Sequence, residues 1–203
     1  IGVSMIVLAA LVHLPRRAIA AFGLLLVLGH NLLDGVVPED LGAAAGLWVF
    51  LHEGGLSPFR LVLVLGQPVL VVYPLLPWIG LMALGYALGP WTRLAPAPRR
   101  RRFLLVGAGI TLAFVALRLW NGYGDPSPWT AQGEPIRTLL SFLNTTKYPP
   151  SLDFLAMTLG PALVALALLD RESGAVGRAF AAFGRVPLFF YVAHLALAHA
   201  AAR

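Results

Sequence analysis

His30 and Asp34, in the stretch "GHNLLDG" at the end of an apolar run, have the residue types and spacing of an acid–base pair. Four positions apart on a helix, they would share a face. A carboxylate that accepts from one imidazole nitrogen fixes the tautomer of the ring and leaves the other nitrogen as a general base. The helix macrodipole gives no reason for an acid at this end, since the C-terminus is already negative. The alternative is that both residues wet a helix end capped by Gly35. In "FLHEGG", His52 and Glu53 are neighbours and would point about 100° apart on a helix. They make no natural dyad and read as a solvated loop.

A second group of polar residues opens "SFLNTTKYPPSLDFLAMTLGPALVALALL", where Asn144, Thr146, Lys147 and Tyr148 stand just before a long apolar run. Pro149 and Pro150 can begin a helix but not continue one, so the residues before them are expected in extended or turn geometry with their donors held in place. Lys147 is the only lysine of the chain. "LWNGYGDPSPW" adds Asn121 and Asp125 among turn-forming Gly and Pro, with aromatic rings that suit a sugar face or a membrane interface equally. In "FGRVPLFFYVAHLALAHAAAR", His194 would lie about 16 Å along a continuous helix begun at Phe183, near mid-bilayer, where an ionisable side chain is costly and indicates function or a buried partner. The run Arg99–Arg102 fits attraction to anionic lipid headgroups, at about 1 kcal/mol per residue. Docking of a phosphorylated donor is the sharper alternative.

Such groups need elements to position them, and composition says what those elements are. Hydrophobic residues make up 59% of the chain and charged ones 12%. The mean hydropathy is +0.80. Soluble domains hold about 45–50% apolar and about 25% charged residues, so the expectation is an integral membrane protein: an all-α, polytopic transmembrane helical bundle forming a single membrane-embedded domain over residues 1–203. Six apolar segments can be drawn, roughly Ile1–Leu14, Ala18–Leu33, Pro74–Trp91, Phe103–Trp120, Ser151–Leu169 and Phe183–Ala202. Between the second and third, "AAAGLWVFLHEGG" is too short to cross and reads as interfacial or re-entrant, while "FRLVLVLGQPVLVVYP" is apolar but broken at Gly66-Gln67-Pro68. The Gly85–Gly89 spacing would let two helices approach closely.

Ten basic residues, including Arg16, Arg17, Arg93, Arg99–Arg102, Arg171, Arg178 and Arg185, fall on alternate connections. Only Arg60, Arg118, Arg137 and Lys147 fall on or beside the others. Basic loops face the cytoplasm, so the arginine-rich side is expected inside, and the His/Asp and Asn–Thr–Lys–Tyr groups on the far side. The net charge of +6 then reflects these loops and not a nucleic-acid partner. With no cysteine, a disulfide framework, a Cys-based metal site and a thiol nucleophile are all excluded, and no metal is expected. The chain opens on Ile1 inside an apolar run and reads as the C-terminal part of a longer protein.

"HNLLDG", "YPLLPWIGLMALGYALG", "LWNGYGDPSPW", "SFLNTTKYPPSLDFLAMTLGPALVALAL" and "FGRVPLFFYVAHL", in this order, resemble bacterial proteins of the DUF1624 family. That family is similar to the catalytic domain of lysosomal heparan-alpha-glucosaminide N-acetyltransferase. The resemblance implies a bacterial inner-membrane acyltransferase that takes an acetyl or other acyl group from cytosolic acetyl-CoA or another acyl-CoA and passes it to an amino sugar or related carbohydrate acceptor on the far side. CoA would sit at Arg99, Arg100, Arg101 and Arg102, with Arg185 contributing. His30 and Asp34 would act as base and orienter. Asn121, Asp125, Asn144, Thr146, Lys147, Tyr148 and His194 would line the acceptor site. The family's catalytic histidine belongs to a region that precedes Ile1, so no residue here inherits that role. Partners are then membrane lipids, acyl-CoA and the acceptor, with self-association left open. The competing expectation is a membrane transporter or lipid-handling protein whose midplane binding site uses the same polar groups.

Overall fold

Proline marks where most helices begin. Pro96, Pro135 and Pro187 occupy the first turn of their helices, and Pro15 and Pro74 stand immediately before theirs. In those places the missing N–H has no intrahelical partner to lose. The computed structural model describes residues 1–53, 61–64, 67–71, 73–170 and 174–202. Its helices are α1 (Gly2–Leu11), α2 (Arg16–Gly29), α3 (Ala45–Trp48), α4 (Leu75–Leu88), α5 (Pro96–Trp120), α6 (Pro135–Leu143), α7 (Leu152–Leu169), α8 (Ala175–Arg185) and α9 (Pro187–Ala201). A 3-10 turn, His30–Leu33, continues α2, and another, Gly89–Arg93, follows α4. The chain divides into a first unit, Ile1–Ala167, and a second, Leu168–Arg203.

The architecture is helical, with a short antiparallel hairpin as the exception among the described residues. Strand β1 (Leu61–Val64) pairs with β2 (Gln67–Leu70), Leu61 opposite Leu70 and Val64 opposite Gln67. The expectation of an all-α architecture holds apart from this hairpin, where β-branched valines alternate along the segment and Pro68 cannot continue a helix. Gly66, Arg60 and Arg171 lie outside the described residues.

Among the described residues three segments are long and apolar enough to cross a membrane: Arg16–Leu33, Pro96–Trp120 and Leu152–Leu169. A fourth is possible if α8 and α9, bent by 90° at their junction, count as one. Six spans are therefore not found among the described residues. The first expected segment yields a helix of 10 residues, and the third one of 14 residues, about 21 Å long, which stops where Gly89-Pro90 tightens the chain. The sixth is broken at Val186, whose φ of −128° and ψ of 50° leave the helical region directly before Pro187. The depth assigned to His194 by counting from Phe183 falls with it: α9 starts at Pro187.

In the first unit, glycines decide how closely helices approach. A Cβ on Gly23 of α2 would stand 2.9 Å from the Gly80 carbonyl oxygen of α4, and one on Gly80 would stand 2.8 Å from Leu26 Cβ. A Cβ on Gly107 of α5 would lie 2.8 Å from the Gly160 oxygen of α7, and one on Gly160 2.5 Å from Thr111 Oγ1. Small residues at crossings are the usual device for packing helices without a hydrophobic driving force between them. Gly85 and Gly89 do not serve this purpose; the space beside each is open. Large apolar side chains such as Leu25 and Leu112 point outward, as lipid contact requires.

Candidate functional site

The two ends of the first unit differ in chemistry. One end holds the start of α2, the turn after α4 and the start of α5, and there Arg16 and Arg93 line the same cavity. The other end gathers the close of α2, the segment after α5 and the approach to α7. His30 Nε2 lies 2.9 Å from the Pro150 carbonyl, and the Asn31 side-chain oxygen accepts from Leu152 N at 2.8 Å. The Tyr123 hydroxyl donates to the Leu28 carbonyl. These bonds pin α7 and the loop after α5 to the end of α2. Beneath them pack Val27, Leu152 and Leu155.

His30 and Asp34 do not pair. The α-helix ends at Gly29 and tightens to a 3-10 turn, in which residues four apart no longer share a face. His30, only 2% exposed, has its Nδ1 at 3.1 and 3.0 Å from the Leu26 and Val27 carbonyls. With the Pro150 carbonyl on its other nitrogen, the ring has acceptors on both sides and presents no nitrogen to a substrate. Asp34 instead receives His52 Nε2 at 3.0 Å on Oδ1 and Asn31 Nδ2 at 2.7 Å on Oδ2. His52 is 2% exposed, and its Nδ1 has no hydrogen-bond partner among the described residues. Its ring stands 5.1 Å from that of Trp48 and 6.3 Å from that of His30. The helical segment 45–53 brings it there: α3 runs into a wider turn, Val49–Glu53, that buries both Val49 and His52. The reading of His52 as a solvated loop residue is thus overturned.

Asp125 is a clasp. Its Oδ1 accepts from Ser127 N at 2.8 Å and Thr146 Oγ1 at 2.8 Å; its Oδ2 accepts from Thr146 N and Ser151 Oγ, both at 2.7 Å. Four donors satisfy a carboxylate, so Asp125 keeps no spare bonding capacity for an acceptor substrate, and Thr146, whose N–H and hydroxyl proton both go to Asp125, joins the loop before α7 to the loop after α5. Ser151 then caps α7, receiving Phe154 N at 3.0 Å. Asn121, in a left-handed conformation with φ 59°, exchanges bonds with the backbone of Trp129 at 3.0 and 3.1 Å. It too is occupied within its own loop.

Sequence reasoning did not anticipate the central residue of this frame, Arg118. It is 2% exposed and donates to the carbonyls of Phe142 (2.9 Å), Ser127 (3.0 Å), Ser141 (3.4 Å) and Asn144 (2.7 Å). Three of these acceptors are at the C-terminal end of α6, where carbonyls lack helical partners and the dipole favours a cation. Asp153, 1% exposed, approaches Arg118 Nη1 at 3.8 Å. A charge in the last turn of an apolar helix was the available signal.

Lys147 and Tyr148 remain at the surface of this end. The Lys147 ammonium lies 5.1 Å from the centre of the Tyr148 ring, which meets Tyr73 edge-on at 5.9 Å. Hydrogen bonding with Lys147, and then with Tyr73, holds the Tyr148 phenol below its usual range. Burial, and then the charge of Asp34, push Tyr123 above its ordinary value. Asn144 lines a cavity of about 640 Å³ with Gln132, Arg137 and Ser141.

No family model, curated protein or solved structure matches the chain.

At the arginine end, Arg99 Nη1 donates to the Thr92 and Leu94 carbonyls, both at 3.2 Å, and Arg102 lies 5.6 Å over the Trp91 ring. Arg100 and Arg101 continue the first turns of α5. Arg185 closes α8 in the second unit, and His194, on α9 of that unit, has Nδ1 3.2 Å from the Phe190 carbonyl and an exposed ring.

Proposed function

We propose that this chain is the core of a transmembrane acyltransferase, with Asp34 and His52 forming the base that His30 was expected to supply. The observation that carries the reading is the Asp34–His52 pair: the carboxylate accepts a hydrogen bond from Nε2–H at 3.0 Å, which leaves the Nδ1 lone pair without a partner among the described residues. A ring oriented by a carboxylate, with its second nitrogen vacant, has the geometry that proton abstraction needs.

In this reading an acyl-CoA docks by its phosphates at the arginine end of the first unit, near Arg99–Arg102. Its thioester reaches the polar end. An amine or hydroxyl of an amino-sugar-type acceptor loses its proton to His52 Nδ1 as its lone pair attacks the thioester carbonyl. The tetrahedral oxyanion collapses, the C–S bond breaks, and the CoA thiolate leaves and takes up the proton. Lys147, Tyr148 and the Asn144 amide are donors positioned near the surface of this end and are assigned to the oxyanion and the acceptor. Asp125, Thr146 and Asn121 hold the loops that carry them. The bacterial inner membrane is the proposed location.

The test is transfer of labelled acetyl from acetyl-CoA to glucosamine by the full-length protein in lipid. His52→Gln should lower turnover by about 10²–10⁴-fold, the range for loss of a general base, while insertion is unchanged. Equal activity in His52→Gln would remove His52 from the chemistry. No transfer from any acyl-CoA would end the enzyme reading.

A further inference from the structure

Arg16 opens α2 and Arg93 ends the 3-10 turn after α4, and although 77 positions separate them they line one cavity of about 380 Å³. The rest of the wall is neutral: Tyr86, Gly89, Pro90 and Thr92. The Thr92 hydroxyl donates to the Gly89 carbonyl at 2.7 Å, which fixes the turn and leaves the hydroxyl's proton unavailable to a ligand. Neighbouring cations are committed elsewhere, Arg99 to the carbonyls of Thr92 and Leu94 and Arg102 to the Trp91 ring. Neither Val12–Arg17 nor Gly89–Arg102 contains a carboxylate. Two guanidinium groups therefore face a shared space without an acidic residue from either segment that forms it.

We infer that this cavity is a binding site for a phosphate group. A guanidinium presents paired N–H donors whose spacing matches two phosphate oxygens, and two of them can neutralise a dianion. Where α2 begins and α4 ends, an apolar bundle meets the headgroup region, so the phosphate can belong to a lipid headgroup or to a soluble phosphorylated compound. The chemistry is the same for both. The inference does not depend on acyl transfer: a transporter or a structural subunit with this cavity would bind phosphate equally.

The experiment uses the full-length protein in two arms. In phosphatidylcholine nanodiscs, inorganic pyrophosphate is titrated by calorimetry. In nanodiscs containing phosphatidylglycerol, retention of that lipid over phosphatidylcholine is measured by native mass spectrometry. Three variants are compared, Arg16→Gln, Arg93→Gln and Arg17→Gln; the last removes the same charge one residue away from the cavity wall. Arg16→Gln and Arg93→Gln should each weaken the phosphate interaction about tenfold or more, as expected for loss of a charge-assisted contact, and Arg17→Gln should change it by less than about twofold. Pyrophosphate binding identifies a soluble ligand, and selective retention of phosphatidylglycerol alone identifies a headgroup; either supports the site. Equal losses in all three variants would show general surface attraction and overturn it. So would wild-type protein that neither binds pyrophosphate nor retains phosphatidylglycerol.

Discussion

Replacing Arg118 with methionine should be among the most damaging single changes to the first unit. The side chain is 2% exposed and gives hydrogen bonds to four carbonyls, three of them shorter than or equal to 3.0 Å. Methionine fills much of the volume and supplies no donor. The carbonyls of Phe142, Ser127 and Asn144 then lose their partner, each at about 1–3 kcal/mol if water cannot reach them. Asp153 would keep a buried charge without its cation, a situation that by itself costs about 3–5 kcal/mol. These terms share one side chain and do not add, so the expected loss is about 3–5 kcal/mol. Unfolding in mild detergent, followed by tryptophan emission from Trp129, measures it, because Trp129 Nε1 donates to the Arg118 carbonyl at 2.6 Å and its ring packs on Phe142 at 5.6 Å. The double variant Arg118→Met/Asp153→Asn separates the two causes. At 3.8 Å the ion pair is at the limit of direct contact, whereas the carbonyl bonds are short. Removing the stranded carboxylate should therefore restore less than half of the loss. Full restoration would mean that Arg118 is present to neutralise Asp153. A loss under about 1 kcal/mol in the single variant would refute the whole account, since it would equal that of an ordinary exposed substitution.

Two further outcomes follow from the same geometry. Tyr123 has a raised pKa, so its folded state favours the phenol; the stability this brings is complete below 10.0, the ordinary value, and is lost as the pH rises through the folded one. Asp34→Asn removes the second of its two causes and should bring the Tyr123 titration, isolated by subtraction of Tyr123→Phe spectra, closer to 10.0 without reaching it; an unmoved curve would show that the Asp34 charge does not act on Tyr123. At the α5–α7 crossing, Gly107→Val places a Cβ at 2.8 Å from the Gly160 carbonyl and the Val164 nitrogen, both backbone, and should cost about 1–3 kcal/mol or more, against a negligible effect for Gly109→Val, where the space is open.

Much of the frame is legible in the sequence, and the reasons for the rest are local. Apolar length alone finds the spans in α2, α5 and α7, because twenty apolar residues have few alternatives. It overcounts where proline intervenes: Val186 cannot stay helical ahead of Pro187, and a hydropathy window does not register one broken peptide. Polar residues at the ends of α2 and α5 and the start of α7 come together as sidedness requires. Pair identity is what spacing could not supply. The His30-x-x-x-Asp34 pattern presumes a helix that persists past Gly29, and the chain tightens there instead. The partner of Asp34 is 18 positions away, across a turn whose path no periodicity reveals. Likewise nothing in the sequence separates Asp125 from Lys147 as a ligand for an acceptor, yet one is saturated by four bonds and the other is exposed, because only three dimensions show which donors converge.

The contrast between the two buried histidines shows what this end of the molecule can do. A neutral imidazole has one N–H and one lone pair, so between carbonyl oxygens on both sides it must place the lone pair against an acceptor or carry a second proton. His30 is in that position, 2.9 Å from Pro150 on Nε2 and 3.0 Å from Val27 on Nδ1, and either state makes it a brace between α2 and the start of α7 and not a base. His52 faces a carboxylate on one nitrogen only. Around it, the other polar groups are saturated by one another: Asn31 by Asp34 and Leu152, Asp125 by Thr146, Ser127 and Ser151, Arg118 by four carbonyls. A network that satisfies its own members is rigid, and rigidity is what a site must have before a single group can be held ready for a proton. Among the described residues Trp78 Nε1 and Asp153 Oδ1 are also buried without a hydrogen-bond partner, and the His52 lone pair differs from them in belonging to a ring that a carboxylate orients.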